Sequence, residues 1–296
     1  MVGPVFKKMK TIVIIGAGRL GGALGQALFE AGLAITAVAD LSPAAARKVG
    51  RLFPGCRVTG HNVEAGRLGQ ALFLCVPDST IGPVARELAK SDVDWRGKIV
   101  IHCSGLLDSR ALDPLRRRGA LTASSHPVQS FPGASVPPRI FRGVPVGVEG
   151  QPAAVAWVRR LFIRLGAKPL PLRTELKPLY HAACALASND LVVLMDMALG
   201  LLEAAGFSRK KAWELLAPLV QRTLHNVNKL GTGAALTGPM VRGDAQVVAR
   251  HLDTLKKFPL AHEAYVQLGL GALDLMKRSG VRPEKIRALK RRLEDR

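Results

Sequence analysis

Apolar positions in the first half of the chain fall in short, nearly unbroken runs separated by segments of helical spacing. Thr11–Ile15 is apolar and β-branched, and residues 20–31 follow with apolar positions recurring at helical intervals. Ala34–Ala39 reads as a second strand, and Ser42-Pro43 after it as a helix start, with serine as N-cap and proline at the first position. Residues 71–76, 98–103 and 120–124 read as further strands, with helices expected over 81–90 and 109–118. Two more runs, 144–148 and 168–172, fit edge strands around a helix at 153–165. Apolar strands alternating with helices predict a parallel sheet buried on both faces.

Beyond residue 172 only helical periodicity remains. Thr174 is placed to cap a helix of about 30 residues, roughly 45 Å long, with Pro178 in its first turn, where a missing N–H costs little. Gly206 closes it. A second helix is expected over 208–228, a glycine-rich loop over 231–243, then a helix capped by Asp244 and two more opened by Pro259 and Pro283. The pattern divides the chain into an α/β domain over 9–172 and an all-helical one over 173–296, in keeping with a length too great for one typical core.

The turn after the first strand carries the clearest chemistry. Gly16-Ala17-Gly18-Arg19-Leu20-Gly21 is a G-x-G-x-x-G that follows a strand and opens a helix, the context that gives this motif its meaning. Gly16 permits the tight turn, Gly18 clears space for a pyrophosphate, and Gly21 lets helix and strand approach. The helix N-terminus offers free N–H groups and a positive dipole end to the phosphates, and Arg19 is placed to add a contact. The fold expected is therefore α/β: a doubly wound parallel Rossmann sheet followed by an all-helical C-terminal domain. Asp40 ends the second strand, where a carboxylate accepts from the ribose hydroxyls of NAD and repels the 2′-phosphate of NADP. Leu41 and Ser42 complete that strand end; Ser42, Arg47 and Lys48 offset the repulsion in part. The cofactor expected is NAD(P)H, with a lean to NAD.

Ligands in such a sheet sit at the carboxyl ends of the strands. Val76 and Pro77 would line the nicotinamide ribose there. Ser104 would bond the carboxamide or the substrate, and His126 stands near the cleft as a proton donor or a structural hydrogen-bonder. On the long helix Lys177, His181, Cys184 and Ser188 share one face, with Asn189 beside them. A polar stripe on so apolar a helix requires partners. Either it faces a substrate cleft, with Lys177 or His181 supplying the proton and Ser188 and Asn189 orienting the substrate, or Lys177 and His181 are structural. Arg242, ahead of Asp244, would clamp an anion or hold a dimer contact.

Composition trims the alternatives. The formal charge of +21 attracts phosphates and nucleic acid non-specifically. Yet the basic residues are scattered, and only 5% of residues are aromatic, too few for base-stacking platforms, so no specific nucleic acid is expected. The four cysteines form no CxxC pair and read as reduced thiols packed as small hydrophobes, consistent with a cytoplasmic setting. The longest apolar stretch, 181–205, carries Asn189, Asp190, Asp196 and Glu203, so no membrane span is expected. Residues 1–8 read as a disordered leader, with Met9 an alternative start. No clustered Cys/His spacing suggests a metal, and no G-x-S-x-G suggests a hydrolase.

Taken together, GAGRLG, VPDSTI, HCSG, SSHPVQSF, the KPLYH…ASN helix and LTGPMVRGD resemble the bacterial family of Rossmann-like proteins with a C-terminal domain of unknown function, described as NADP-linked oxidoreductases. The resemblance runs from Met9 to about Asp253. The helical domain is similar to those of 6-phosphogluconate dehydrogenase and pyrroline-5-carboxylate reductase, and the chain also resembles deazaflavin-dependent NADP reductases. This likeness implies a homodimer packed through the helical domains and an active site in the interdomain cleft. Hydroxyacid dehydrogenases of the superfamily carry a lysine with an asparagine four residues later; Lys177 matches the lysine, and His181 stands in the asparagine position. The expected function is hydride transfer between a nicotinamide and a small carbonyl or imine; a non-catalytic NAD(P)-binding regulator or redox sensor is the alternative.

Overall fold

The computed structural model describes residues 11–131, 133 and 139–294, so the expected leader at 1–8 and the alternative start at Met9 lie outside the described residues. Its centre is an eight-stranded sheet of β1 (Thr11–Ile15), β2 (Ala34–Ala39), β3 (Arg57–Thr59), β4 (Ala71–Leu74), β5 (Ile99–His102), β6 (Leu121–Pro127), β7 (Pro145–Gly150) and β8 (Lys168–Pro171), in the order β3-β2-β1-β4-β5-β6-β7-β8. Between the strands run α1 (Arg19–Glu30), α2 (Pro43–Gly50), α3 (Asn62–Arg67), α4 (Asp78–Lys90), α5 (Asp113–Arg116) and α6 (Pro152–Arg164).

Strand residues alternate between two cores, as a pleated sheet covered on both faces requires. Ile12 and Ile14 join Leu24, Leu28, Phe73 and Phe162 on one side. Val13 and Ile15 join Leu72, Leu74, Leu88 and Trp95 on the other. Every pairing is parallel except β6 with β7, which run antiparallel with Ser125 opposite Val148. The expectation of a wholly parallel sheet fails there because the described part of the connection holds turns rather than a helix, and an antiparallel neighbour needs no crossover.

Other departures have local causes. β3 and α3 escape the sequence pattern because Arg57-Val58-Thr59 holds a single large apolar residue and Asn62–Arg67 little more than one turn. Residues 109–118 split into a 3₁₀ turn (Ser109–Leu112) and α5; the break falls at Leu112, with φ −97° and ψ 8°, and Pro114, which has no N–H to continue the ladder, sits in the first turn of α5. Ser42 and Ser208 do cap their helices, accepting from Ala45 N and Lys211 N. Thr174 does not: it opens a 3₁₀ turn (Thr174–Leu176), and its hydroxyl donates to Glu149 instead.

The remainder is helical: α7 (Lys177–Ala204), α8 (Arg209–Ala235), α9 (Pro239–Arg242), α10 (Ala245–Leu255), α11 (Pro259–Arg278) and α12 (Pro283–Glu294). α8 enters the expected glycine loop, with a break at Gly231, whose φ of 75° is non-helical. Asp244 flanks α10, but its carboxylate takes Arg242 Nε at 2.8 Å rather than capping. The chain clusters into a first unit ending at Asn189 and a second beginning at Asp190. The second has its own core of Val248, Leu252, Leu273, Met276, Leu289 and Leu293. By length and composition alone, the segment Thr174–Ala204 is long and apolar enough to cross a membrane. Leu179, Leu186 and Val192 along it are exposed.

Candidate active site

The first site element is the turn from β1 into α1. Gly16 has φ +99°, and a Cβ there would lie 2.5 Å from the Cys75 carbonyl oxygen. A Cβ on Gly21 would lie 1.9 Å from the carbonyl oxygen of Gly16. Both positions therefore require glycine. At Gly18 an added Cβ meets nothing within 4 Å, so this residue faces open space. No side chain caps the N-terminus of α1, leaving its first-turn N–H groups to that space. Asp40, at the end of β2, closes the turn: Oδ2 accepts from Ala17 N at 2.7 Å and Oδ1 from Ser42 N at 2.8 Å. The cleft that results has a volume of about 450 Å³ and is lined by Gly18, Asp40, Asn62, Val76, Pro77 and Glu87, among others. Asn62 Nδ2 donates to Glu87 Oε2 across it at 2.8 Å. β1 and β4 are where the strand order reverses, the position at which open α/β sheets bind ligands. A dinucleotide fits these residues: an uncapped helix start, a glycine with room beside it, and a fixed carboxylate at ribose height.

Beyond β4, the ends of β5, β6 and β7 meet the start of α7 over a buried polar network. Lys177 is 0% exposed. Its ammonium donates to Ser104 O at 3.0 Å and to Ser124 Oγ, and lies 3.8 Å from Glu149 Oε1. Burial lowers the Lys177 pKa, with Glu149 opposing. Glu149 is buried as well and accepts from Ser109 N, Ser109 Oγ and Thr174 Oγ1. Ser104 is equally committed: its hydroxyl donates to Asp78 Oδ2 at 2.8 Å and accepts from Leu106 N and Leu107 N. His102 Nε2 lies 2.9 Å from the Asp108 carbonyl, while Ser104 N donates to Nδ1. That pattern fixes a neutral imidazole with the proton on Nε2, and burial takes its pKa down to about 4.

Above this floor stand two imidazoles and a phenol. His126 Nδ1 and the Tyr180 hydroxyl share a 2.8 Å hydrogen bond, with the rings edge to face. The His181 ring centroid lies 5.8 Å from that of His126. Burial first, then His181 and Lys177, lower the His126 pKa to about 4. Burial, aided by Cys184, raises that of Tyr180. Gly105 makes the cluster possible, for a Cβ there would meet His181 Cδ2 at 2.3 Å and His126 Nε2 at 2.9 Å.

The expected residues thus divide. Gly16, Gly18, Asp40, Val76 and Pro77 line the cleft; Ala17 is tied to Asp40 through its amide, Gly21 packs against the Gly16 carbonyl, Leu20 joins the core and Arg19 is exposed at the helix start. Leu41 is 87% exposed on the lip, and the Ser42 hydroxyl serves α2. His126 and His181 come together. Lys177 is sealed below them, the Ser104 hydroxyl is enclosed by its own loop, and Ser188 and Asn189 are exposed further along α7. Tyr180, Gly105 and Asp78 fall inside the segments KPLYH, HCSG and VPDSTI, yet nothing in those segments by themselves gives these residues a role, and Glu149 falls outside all of them. Tyr180 had a weak signal, standing three residues after Lys177 on the polar stripe and being one of only two tyrosines.

Comparison with known proteins agrees with this architecture. A Rossmann-like domain matches residues 5–127, and a domain of unknown function, DUF2520, matches residues 144–271. Both bear out the resemblance read from the motifs. Among solved structures, BF3122 from Bacteroides fragilis, assigned as an NADP oxidoreductase, is 20% identical over 90% of this chain and 97% of its own, with a TM-score of 0.75. Protein TM1727 from Thermotoga maritima is 24% identical over 90% and 99%, with a TM-score of 0.68. An imine reductase from Myxococcus stipitatus in complex with NADP+ is 17% identical over 96% and 93%, with a TM-score of 0.61. At such identities the likeness is one of fold. No curated protein matches the sequence.

Two expectations follow from the network. Lys177→Met leaves Glu149 buried without its cation and should cost about 3–5 kcal/mol in urea unfolding. Adding Glu149→Gln should recover much of that loss; a strictly additive double variant would show the pair uncoupled. The histidines set a pH dependence. His102 and His126 bind a proton near pH 4 in the folded chain, against an ordinary 6.5. Between those values the unfolded chain binds more protons, so stability present above 6.5 is lost as pH falls toward 4. Unfolding at pH 5 should need about 2 kcal/mol less per histidine than at pH 7; equal stabilities at the two pH values would contradict it.

Proposed function

We infer that this chain, a Rossmann-like domain joined to a DUF2520 domain, is an NAD(P)-dependent oxidoreductase acting on a small carbonyl or imine, or on the matching alcohol or amine. The observation that carries the reading is the adjacency of two features. Cys75-Val76-Pro77 lines the dinucleotide cleft, and Asp78, the next residue, bonds Ser104, whose neighbour Gly105 touches His126 and His181.

The N–H groups at the start of α1 hold the pyrophosphate beside Gly18, and Asp40 receives the ribose hydroxyls while remaining anchored by Ala17 N and Ser42 N. Among the described residues, those lining the cleft include the carboxylates of Asp40 and Glu87 and no lysine or arginine, which favours NAD over NADP. When bound, the nicotinamide supplies or accepts a hydride at the substrate carbon. The protein handles the proton. With Nδ1 of His126 accepting from Tyr180, Nε2 carries a hydrogen toward Gly105 and is the donor to a substrate oxygen or nitrogen. Tyr180, kept protonated by burial, donates to Nδ1 and so holds His126 in the tautomer that carries its hydrogen on Nε2, and His181 flanks the same opening. Lys177 touches no substrate in this scheme; it fixes the β5 and β6 ends from below.

The exposed apolar residues of α7 suit a second copy of this chain, so the working form is a homodimer. Leu179 is 72% exposed and Leu186 and Val192 each 68%, large apolar side chains along one helix that a second chain would take out of water.

Titration with NADH and NADPH, read by thermal shift, tests the cofactor. Saturation at about 100 times Kd stabilises the fold by about 2.7 kcal/mol. NADH should bind more tightly, and Asp40→Ser should narrow the gap. No binding of either cofactor sinks the reading. In a carbonyl and imine screen, His126→Phe should cut kcat by about 10²–10⁴ while NADH still binds; binding without turnover in the parent chain would favour the regulatory reading. Sedimentation at micromolar concentration should give the mass of two chains, and a monomer would refute the dimer.

A further inference from the structure

Two cysteines stand side by side where β4 and β5 end, and the proton-handling face uses neither. Leu74 of β4 pairs in parallel with His102 of β5, so the next residues, Cys75 and Cys103, leave the sheet as neighbours. Adjacent strands lie about 4.7–4.9 Å apart, inside the Cα separation of about 4.4–6.8 Å that a disulfide spans. Both side chains point to one side, and the sulfurs are 3.9 Å apart. A bond of about 2.05 Å asks them to close by about 1.9 Å, a shift within reach of modest χ1 rotations. Cys103 is buried against Ser125 Oγ, whereas Cys75 is half-buried and lines the dinucleotide cleft. The Cys75 carbonyl also abuts Gly16, so the backbone that would carry the disulfide is the backbone that shapes the glycine turn.

We propose that Cys75 and Cys103 form a reversible disulfide at the wall of the dinucleotide cleft, and that this bond and a bound dinucleotide oppose each other. The oxidant is a hydroperoxide. The Cys75 sulfur attacks the outer oxygen, the O–O bond breaks, and one alcohol or water leaves, giving a sulfenic acid. The Cys103 sulfur then attacks the Cys75 sulfur; the S–S bond forms, and the hydroxide that leaves takes the Cys103 proton away as water. Two thiols are oxidised and one peroxide is reduced, with nothing left over. The Cys103 contact and burial hold the Cys75 thiol protonated, so the first step is slow at neutral pH and quickens as pH rises. A dinucleotide in the cleft covers Cys75, and the closed disulfide draws the wall beside Gly16 toward β5. By linkage each disfavours the other. This second half rests on the proposed cofactor site; formation of the bond does not.

The full-length protein is treated with hydrogen peroxide, with and without saturating NAD+, then free thiols are counted and the linked peptide is sought by mass spectrometry. Free thiols should fall from four to two, and the linked peptide should join Cys75 to Cys103. A dithiol reductant should restore all four, and NAD+ at about 100 times Kd should slow the reaction at least about tenfold. Cys103→Ser should melt like the parent and yield no internal disulfide, whereas Cys56→Ser/Cys184→Ser should still form it. Absence of a 75–103 peptide, or linkage through Cys56 or Cys184, overturns the proposal. A bond that forms at one rate with and without bound NAD+ overturns the coupling. If the bond forms but thermal shift detects no dinucleotide, the cofactor reading fails while the disulfide stands.

Discussion

The ammonium of Lys177 has no water to turn to, and the surroundings are built around that fact. A charge taken out of solvent must find a counter-charge and hydrogen-bond acceptors or lose its proton. Lys177 finds Glu149 on β7, the Ser104 carbonyl after β5 and the Ser124 hydroxyl on β6. One side chain from α7 thereby ties three neighbouring strands together. Glu149, committed in turn to Ser109 and Thr174, holds the 3₁₀ turns before α5 and α7. The helix bearing Tyr180 and His181 cannot shift along the sheet without stranding a buried ion.

The same economy governs the floor beneath the histidines. Ser104 spends its hydroxyl on Asp78 and on two backbone amides, and Ser104 N helps fix the neutral tautomer of His102. A loop so fully satisfied is rigid, which suits Gly105, where two imidazoles approach the backbone too closely for any side chain. At the other end, Asp40 ties the glycine turn to β2 through two amide hydrogen bonds. Cleft and histidine cluster are thus each rigid, and Asp78 with Ser104 joins them.

The second unit is held by its own core. Most of its ion pairs are short-range and exposed, as with Lys256–Asp253 and Arg278–Asp274, so they add little to stability.

The strand-helix alternation, the doubly wound architecture and the glycine turn were legible in the sequence, because periodicity and glycine stereochemistry are local properties. A run such as Thr11–Ile15 followed by G-x-G-x-x-G fixes its own backbone and the face it buries. The antiparallel turn at β7 was not legible, since pairing direction depends on how a connection closes rather than on the strands it joins. Nor were the partners of Lys177. Its place on a polar stripe is visible along one helix, but burial beside Glu149, Ser104 and Ser124 arises only where four elements converge. The roles of Tyr180 and Gly105, inside KPLYH and HCSG, were hidden for the same reason. Sequence spacing specifies which residues share a helix face, while which of them meet water, a carboxylate or another imidazole is decided by contacts between segments far apart in the chain.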